Sequence, residues 1–185
     1  MYFVGLNKKN KIINLYFQDE SRFVLFTKKG KALTVKGIKP ICPFQQVFQS
    51  LYLFGAFSSI NGNNFMLELP YCNANSFQLF LNEFSKQNKE ELKVIVLNNG
   101  AFHKAKSLVI PDNIVLVFLP PYSPELNPAE KMWAKFKRDF SAKLFKNMEL
   151  LELYICSLVN SLTKNEVISI CSFSYIFFNA FWTIE

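Results

Sequence analysis

The sequence predicts an α/β fold built on a mixed sheet, with a three-stranded antiparallel meander, further strands, and helices flanking them. Three observations carry that reading. Two apolar runs, residues 47–59 and 64–69, are bridged by Asn61-Gly62, a strong hairpin signal, and follow an aromatic and β-branched stretch that reads as a first strand. Residues 92–97 are almost continuously apolar, as a strand covered on both faces should be. Apolar residues recur at helical spacing at Phe77, Phe80, Leu81 and Phe84, and again at Ala129, Trp133, Phe136 and Phe140.

Size and composition suit one domain. A chain of 185 residues buries about 70% of its extended surface, and half-apolar composition with 21 Phe supplies a real core. The 21 Lys and Arg against 14 Asp and Glu leave a net charge of +7, compatible with a polyanionic partner without requiring one. Cys42, Cys72, Cys156 and Cys171 form no C-x-x-C pair and are too few for a disulfide scaffold, so they read as reduced, buried, small apolar residues of a cytosolic protein. Residues 1–9 show no signal peptide. Residues 167–184 carry no charge and approach the length of a short membrane span, but Ser169, Ser172, Ser174, Asn179 and Thr183 interrupt them, which suits a helix packed on protein. No membrane association is expected. A single histidine excludes a His-based metal constellation, and P-loop, G-x-S-x-G and dinucleotide-binding motifs are missing.

In chain order, residues 12–26 form the first strand, with Asp19 and Glu20 inside it. A carboxylate in an apolar strand is costly unless paired, metal-bound or turned to solvent, so at least one of these two must have a partner or, by alternation, face solvent. Lys28-Lys29-Gly30-Lys31 and Lys36-Gly37-Ile38-Lys39-Pro40 read as basic turns, solvated or touching phosphates. The meander follows, then a helix over 75–87 and the strand at 92–97. Next stand Asn98-Asn99-Gly100-Ala101-Phe102-His103-Lys104, where His103 either orients a ligand or makes a structural hydrogen bond. Pro111-Asp112-Asn113 reads as a surface turn before a strand at 114–118.

The segment Leu119-Pro120-Pro121-Tyr122-Ser123-Pro124-Glu125-Leu126-Asn127-Pro128-Ala129-Glu130 must be a stiff, extended connection, because its prolines lack donors and bias the residues before them away from helix. A helix can begin only at its end, with Asn127 as N-cap, Pro128 at the first position, and Glu130 meeting the positive end of the helix dipole. Glu130 either completes a near capping box or is held in place for chemistry. On this helix Lys131, Lys135 and Arg138 lie roughly opposite the apolar stripe, as a solvated face or a surface for DNA. Residues 148–162 form another amphipathic helix, and an apolar, aromatic segment closes the chain.

The proline-rich run resembles the signature of the IS630-type, Tc1/mariner-related transposases, whose DDE domain has an RNase H-like fold. The resemblance implies that Glu130 is the third metal-binding carboxylate. Phe17-Gln18-Asp19-Glu20-Ser21-Arg22-Phe23 resembles the first catalytic block and implies Asp19 as the first ligand; the block at 98–104 is similar to the second, whose Asp is here Asn98, with Asn99 and His103 as supporting residues. It covers the chain from about Leu15 onward. Two Mg²⁺ or Mn²⁺ ions about 4 Å apart would clamp the attacking and leaving oxygens of a phosphodiester. Asn98 keeps a carbonyl oxygen but removes one of three negative charges, so metal binding is expected to be weakened and activity small or absent.

The implied organisation is a catalytic domain over 1–145 with a C-terminal helical segment, 146–185, packed on it. The helix-turn-helix region usual in the family is expected to be missing, as in a split-frame product or a decayed element. The implied partners are DNA, as transposon ends and target, and a second copy or an intact transposase, in the prokaryotic cytoplasm at the nucleoid. The alternative is a catalytically inactive RNase H-like module that binds DNA or pairs with intact transposase. A resolvase-type nuclease is disfavoured by the proline-rich signature.

Overall fold

The computed structural model describes residues 12–25, 35–37, 47–141 and 143–172. One five-stranded sheet runs in the order β3-β2-β1-β4-β5. Strands β1 (Ile12–Val24), β2 (Ser50–Phe57) and β3 (Asn64–Leu69) form the antiparallel meander, whereas β4 (Glu91–Leu97) and β5 (Ile114–Phe118) add in parallel beyond β1. The sheet is therefore mixed, as expected, and β1 lies at its centre.

Alternation along the central strands creates two cores. Leu15, Phe17 and Phe23 of β1, with Val94 and Val96 of β4, face α2 (Ala129–Phe140), α3 (Met148–Ser161) and α4 (Lys164–Cys171). Tyr16 of β1, with Ile95 and Leu97 of β4, packs instead on the phenylalanines of α1 (Ala74–Lys86). The helix expected over 75–87 is thus displaced by one residue, because Asn73 caps it by accepting from Ser76 N–H. At the base of the sheet Lys93, with no exposed side-chain surface, gives its ammonium to the Gln87 and Asn88 carbonyls, 3.7 Å from the buried Glu91 carboxylate that Tyr16 also donates to.

The hairpin signalled by Asn61-Gly62 is present as β2–β3, closed by a six-residue loop: pairing stops at Phe57 and Asn64, and Gly62, at φ +71°, donates to Ser58 O. Cys156 is exposed, since it follows buried Ile155 on the outer side of α3; Cys72 is half-buried and Cys171 buried. The turn at 28–31, Cys42 and the apolar end beyond residue 172 lie outside the described residues. No helix among the described residues is long and apolar enough to cross a membrane.

Candidate active site

The same alternation decides which side chains meet. Asp19 shares the parity of Phe17 and Asn98 that of Val96; Phe17 and Val96 are register partners, so Asp19 and Asn98 emerge side by side on the α2 face. Asn98 Nδ2 donates to Asp19 Oδ1 at 3.2 Å, and Asn98 Oδ1 accepts from Gly100 N–H at 2.9 Å. Asp19 itself is only 6% exposed.

Glu130 reaches the same place from α2. Asn127 Oδ1 accepts from Ala129 N–H, Asn127 O accepts from Glu130 N–H, and Pro128 has helical angles, so the expected cap is present. The N–H of Asn127, which a capping box would give to Glu130, goes to Pro124 O. The exposed Glu130 carboxylate is left for other work, near enough to Asp19 to raise its pKa. Asn127 Nδ2 also donates to Gln18 O at 2.9 Å, locking the start of α2 to the strand position beside Asp19.

Glu20 points to the opposite face, where sequence reasoning gave it no partner. Its carboxylate accepts from Gln18 Nε2 at 2.7 Å and meets His103 Nε2 at 2.9 Å, while His103 Nδ1 lies 3.3 Å from Asn98 O. His103, 2% exposed, therefore joins β1 to the loop that presents Asn98. Asn99 supports the same loop by donating to Leu119 O and accepting from Lys104.

Burial first, then the charges of Glu20 and Glu130, push the Asp19 pKa up to about 8. The buried Trp133 indole N–H closes no hydrogen bond, yet stands near enough to Asp19 to favour its carboxylate. Trp133 packs there because Gly55, the register partner of Asp19, leaves room: a Cβ on Gly55 would lie 2.7 Å from the Trp133 ring. Half-buried Cys72 stands close enough to feel both Glu20 and Asp19, and burial followed by those charges raises its thiol to about 11.

A divalent cation needs anionic oxygen donors that converge on one point. Asp19 and Glu130 fit: two carboxylates whose repulsion an added cation would relieve. Asn98 does not fit as oriented, because it turns its N–H toward Asp19 and gives its oxygen to Gly100. Among the described residues no three His, Cys, Asp or Glu side chains converge as a metal cluster. Asp112 lies in an exposed turn.

Of the four expected DNA contacts, Lys36, Lys131 and Arg138 are exposed. Lys135 is engaged within the protein, 3.4 Å from Asp139 and 3.8 Å from Glu166 of α4.

Residues 14–152 match the model of the DDE superfamily endonucleases. The chain belongs to that family. It is 38% identical over 114 residues to the uncharacterized protein y4pE/y4sA of Sinorhizobium fredii (strain NBRC 101917 / NGR234), a match spanning 60% of this chain and 84% of that one. In fold it is similar to the Mos1 strand transfer complex, with a TM-score of 0.67 at 14% identity over 85% of this chain, and to the Mos1 mariner paired-end complex with Mn, at 0.65 and 16% over 85%. The chain spans about half the length of those Mos1 chains, 50% and 51% respectively. The shared architecture is the RNase H-like fold, as the sequence resemblance implied. Asp19, Asn98 and Glu130 thus stand together at one sheet end, Asn98 bonded to Asp19 and Glu130 close enough for its charge to act on it.

Proposed function

We propose that the chain is the catalytic domain of a DDE transposase, acting on DNA phosphodiesters through Asp19, position 98 and Glu130, and that Asn98 leaves this copy with little metal-dependent activity. The observation that carries this reading is the meeting of Asp19 with Asn98 on one face and of Glu130 with Asp19 from α2. Two divalent ions, Mg²⁺ or Mn²⁺, would stabilise the attacking and leaving oxygens of the phosphodiester. Asp19 and Glu130 would hold them, Asn127 and His103 would fix the elements that carry the site, and exposed Lys36, Lys131 and Arg138 would meet phosphates. The substrates would be transposon ends and target DNA, with a second copy or an intact transposase as partner; fold relatives captured as Mos1 paired-end complexes with Mn or Mg support the paired DNA ends and the ions. The place of action would be the prokaryotic cytoplasm. Residues 1–145 would form the catalytic part, with 146–185 as its packed helical flank.

A second reading is an inactive DNA-binding or pairing module, favoured by the Asn98 amide, which already satisfies Asp19 with a hydrogen bond. Mn²⁺ calorimetry on the native chain, Asn98→Asp and Asp19→Ala/Asn98→Asp separates the two. Under the first reading Asn98→Asp binds at least tenfold more tightly than the native chain and Asp19→Ala abolishes the gain. Equal, negligible binding by all three leaves the module.

A further inference from the structure

Residues 119–126 form an arch over the end of the sheet that carries the candidate active site. One foot is pinned to β4 and its loop: Leu119 N–H donates to Leu97 O at 2.9 Å and Leu119 O accepts from Asn99. The other is pinned to β1, through Asn127 Nδ2 to Gln18 O. The feet thus stand beside Asn98 and Asp19.

At the crown of this arch Tyr122 is fully exposed, and its backbone sits at φ +58°. That left-handed conformation is unfavourable for a bulky side chain and persists only where the surroundings impose it. Pro121 before it and Pro124 after it stiffen the chain, Ser123 Oγ donates to Pro121 O, and the turn Pro124–Leu126 closes the descending side. A large aromatic ring therefore stands in solvent on a stiff stretch of backbone, where its burial contributes nothing to stability. On β5, which leads into the arch, Phe118 is 37% exposed with the Lys104 ammonium 4.9 Å from its ring centre, an aromatic ring and a positive charge at the foot of the arch. Aromatic rings beside basic groups are what unpaired nucleobases stack on, and stacking tolerates any sequence because every base has a π-face.

We propose that Tyr122 is a stacking platform for an unpaired nucleobase of the DNA, holding an already opened strand beside the carboxylates. The inference rests on the reading of the site as one that acts on DNA.

The test uses the native chain with two otherwise identical duplexes, one fully paired and one carrying a single unpaired 2-aminopurine. Native protein should prefer the second duplex and quench its fluorescence. Tyr122→Ala should lose about tenfold in affinity for that duplex, with the quench, and leave affinity for the paired duplex unchanged; Tyr122→Phe should behave as native. Equal binding of both duplexes by native protein, or a Tyr122→Ala loss that is absent or the same on both, overturns the proposal. So does a failure to bind either duplex, whereas Mn²⁺ calorimetry reads the carboxylate site without DNA and decides that reading separately.

Discussion

Asp19 holds its proton far more tightly than a free carboxyl, because burial and then Glu20 and Glu130 raise its pKa from 3.8 to about 8. Between those values the folded chain keeps a proton that the unfolded chain has released. The contribution of this group to stability is therefore complete below about pH 4 and is lost as pH rises through 8. In chelator, denaturant melts of the native protein should lose stability from pH 5 to 9, while Asp19→Asn should lose roughly 2–4 kcal/mol less over the same range. An unchanged pH slope in Asp19→Asn would remove Asp19 as its source. Position 98 follows the same electrostatics. Asn98→Asp exchanges a donor for a second negative charge beside Asp19, so it should melt lower than native in chelator and recover with Mn²⁺. At His103 the prediction is structural. Removing a buried partner leaves the Glu20 carboxylate with Gln18 as its remaining hydrogen-bond partner among the described residues, and His103→Ala should cost about 3 kcal/mol, read in the same melts.

At the level of elements, strands and helices were legible because their signals are local: β-branched and aromatic content in β1, a continuous apolar run in β4, helical spacing in α1 and α2. The proline-rich segment was equally legible, since missing donors and fixed φ leave few conformations. What the sequence withheld was the identity of long-range partners. Nothing local ties Glu20 to His103 or reveals that Gly55 stands opposite Asp19, because register decides both, and register depends on the whole sheet. The six-residue β2–β3 loop escaped for a related reason: Gly62 is fitted against the Lys164 backbone of α4, 102 residues on in sequence, where a Cβ would approach its carbonyl oxygen within 2.4 Å. Gly55 gives the sharpest test at this scale. Gly55→Ala drives a methyl into Trp133 and Phe57, so it should destabilise the fold by about 1–3 kcal/mol. In the Asn98→Asp background it should also weaken Mn²⁺ binding, since Trp133 lies one turn beyond Glu130 on the same helix. Full-strength metal binding by the double variant would show that α2 does not move when Trp133 is displaced.

For the whole molecule, the question is whether the last two described helices are a separate part or share the stability of the site. Leu151 and Ile155 of α3 and Val167 and Cys171 of α4 lie in one cluster with Trp133, Phe136 and the buried face of β1. Lys135 of α2 extends the connection by facing Glu166 at the start of α4, a half-buried pair 3.8 Å apart that adds little energy. A core with no seam between sheet, α2 and α3–α4 unfolds as one unit. The native chain should show a single transition, coincident by far-UV dichroism and tryptophan fluorescence. Leu151→Ala leaves a cavity in that shared core and should shift the whole transition by about 2–5 kcal/mol, although Leu151 lies outside the carboxylate site. If Leu151→Ala instead produced an early dichroism change that left Trp133 fluorescence in place, α3 would melt on its own and would be an independent flank rather than a wall of the shared core.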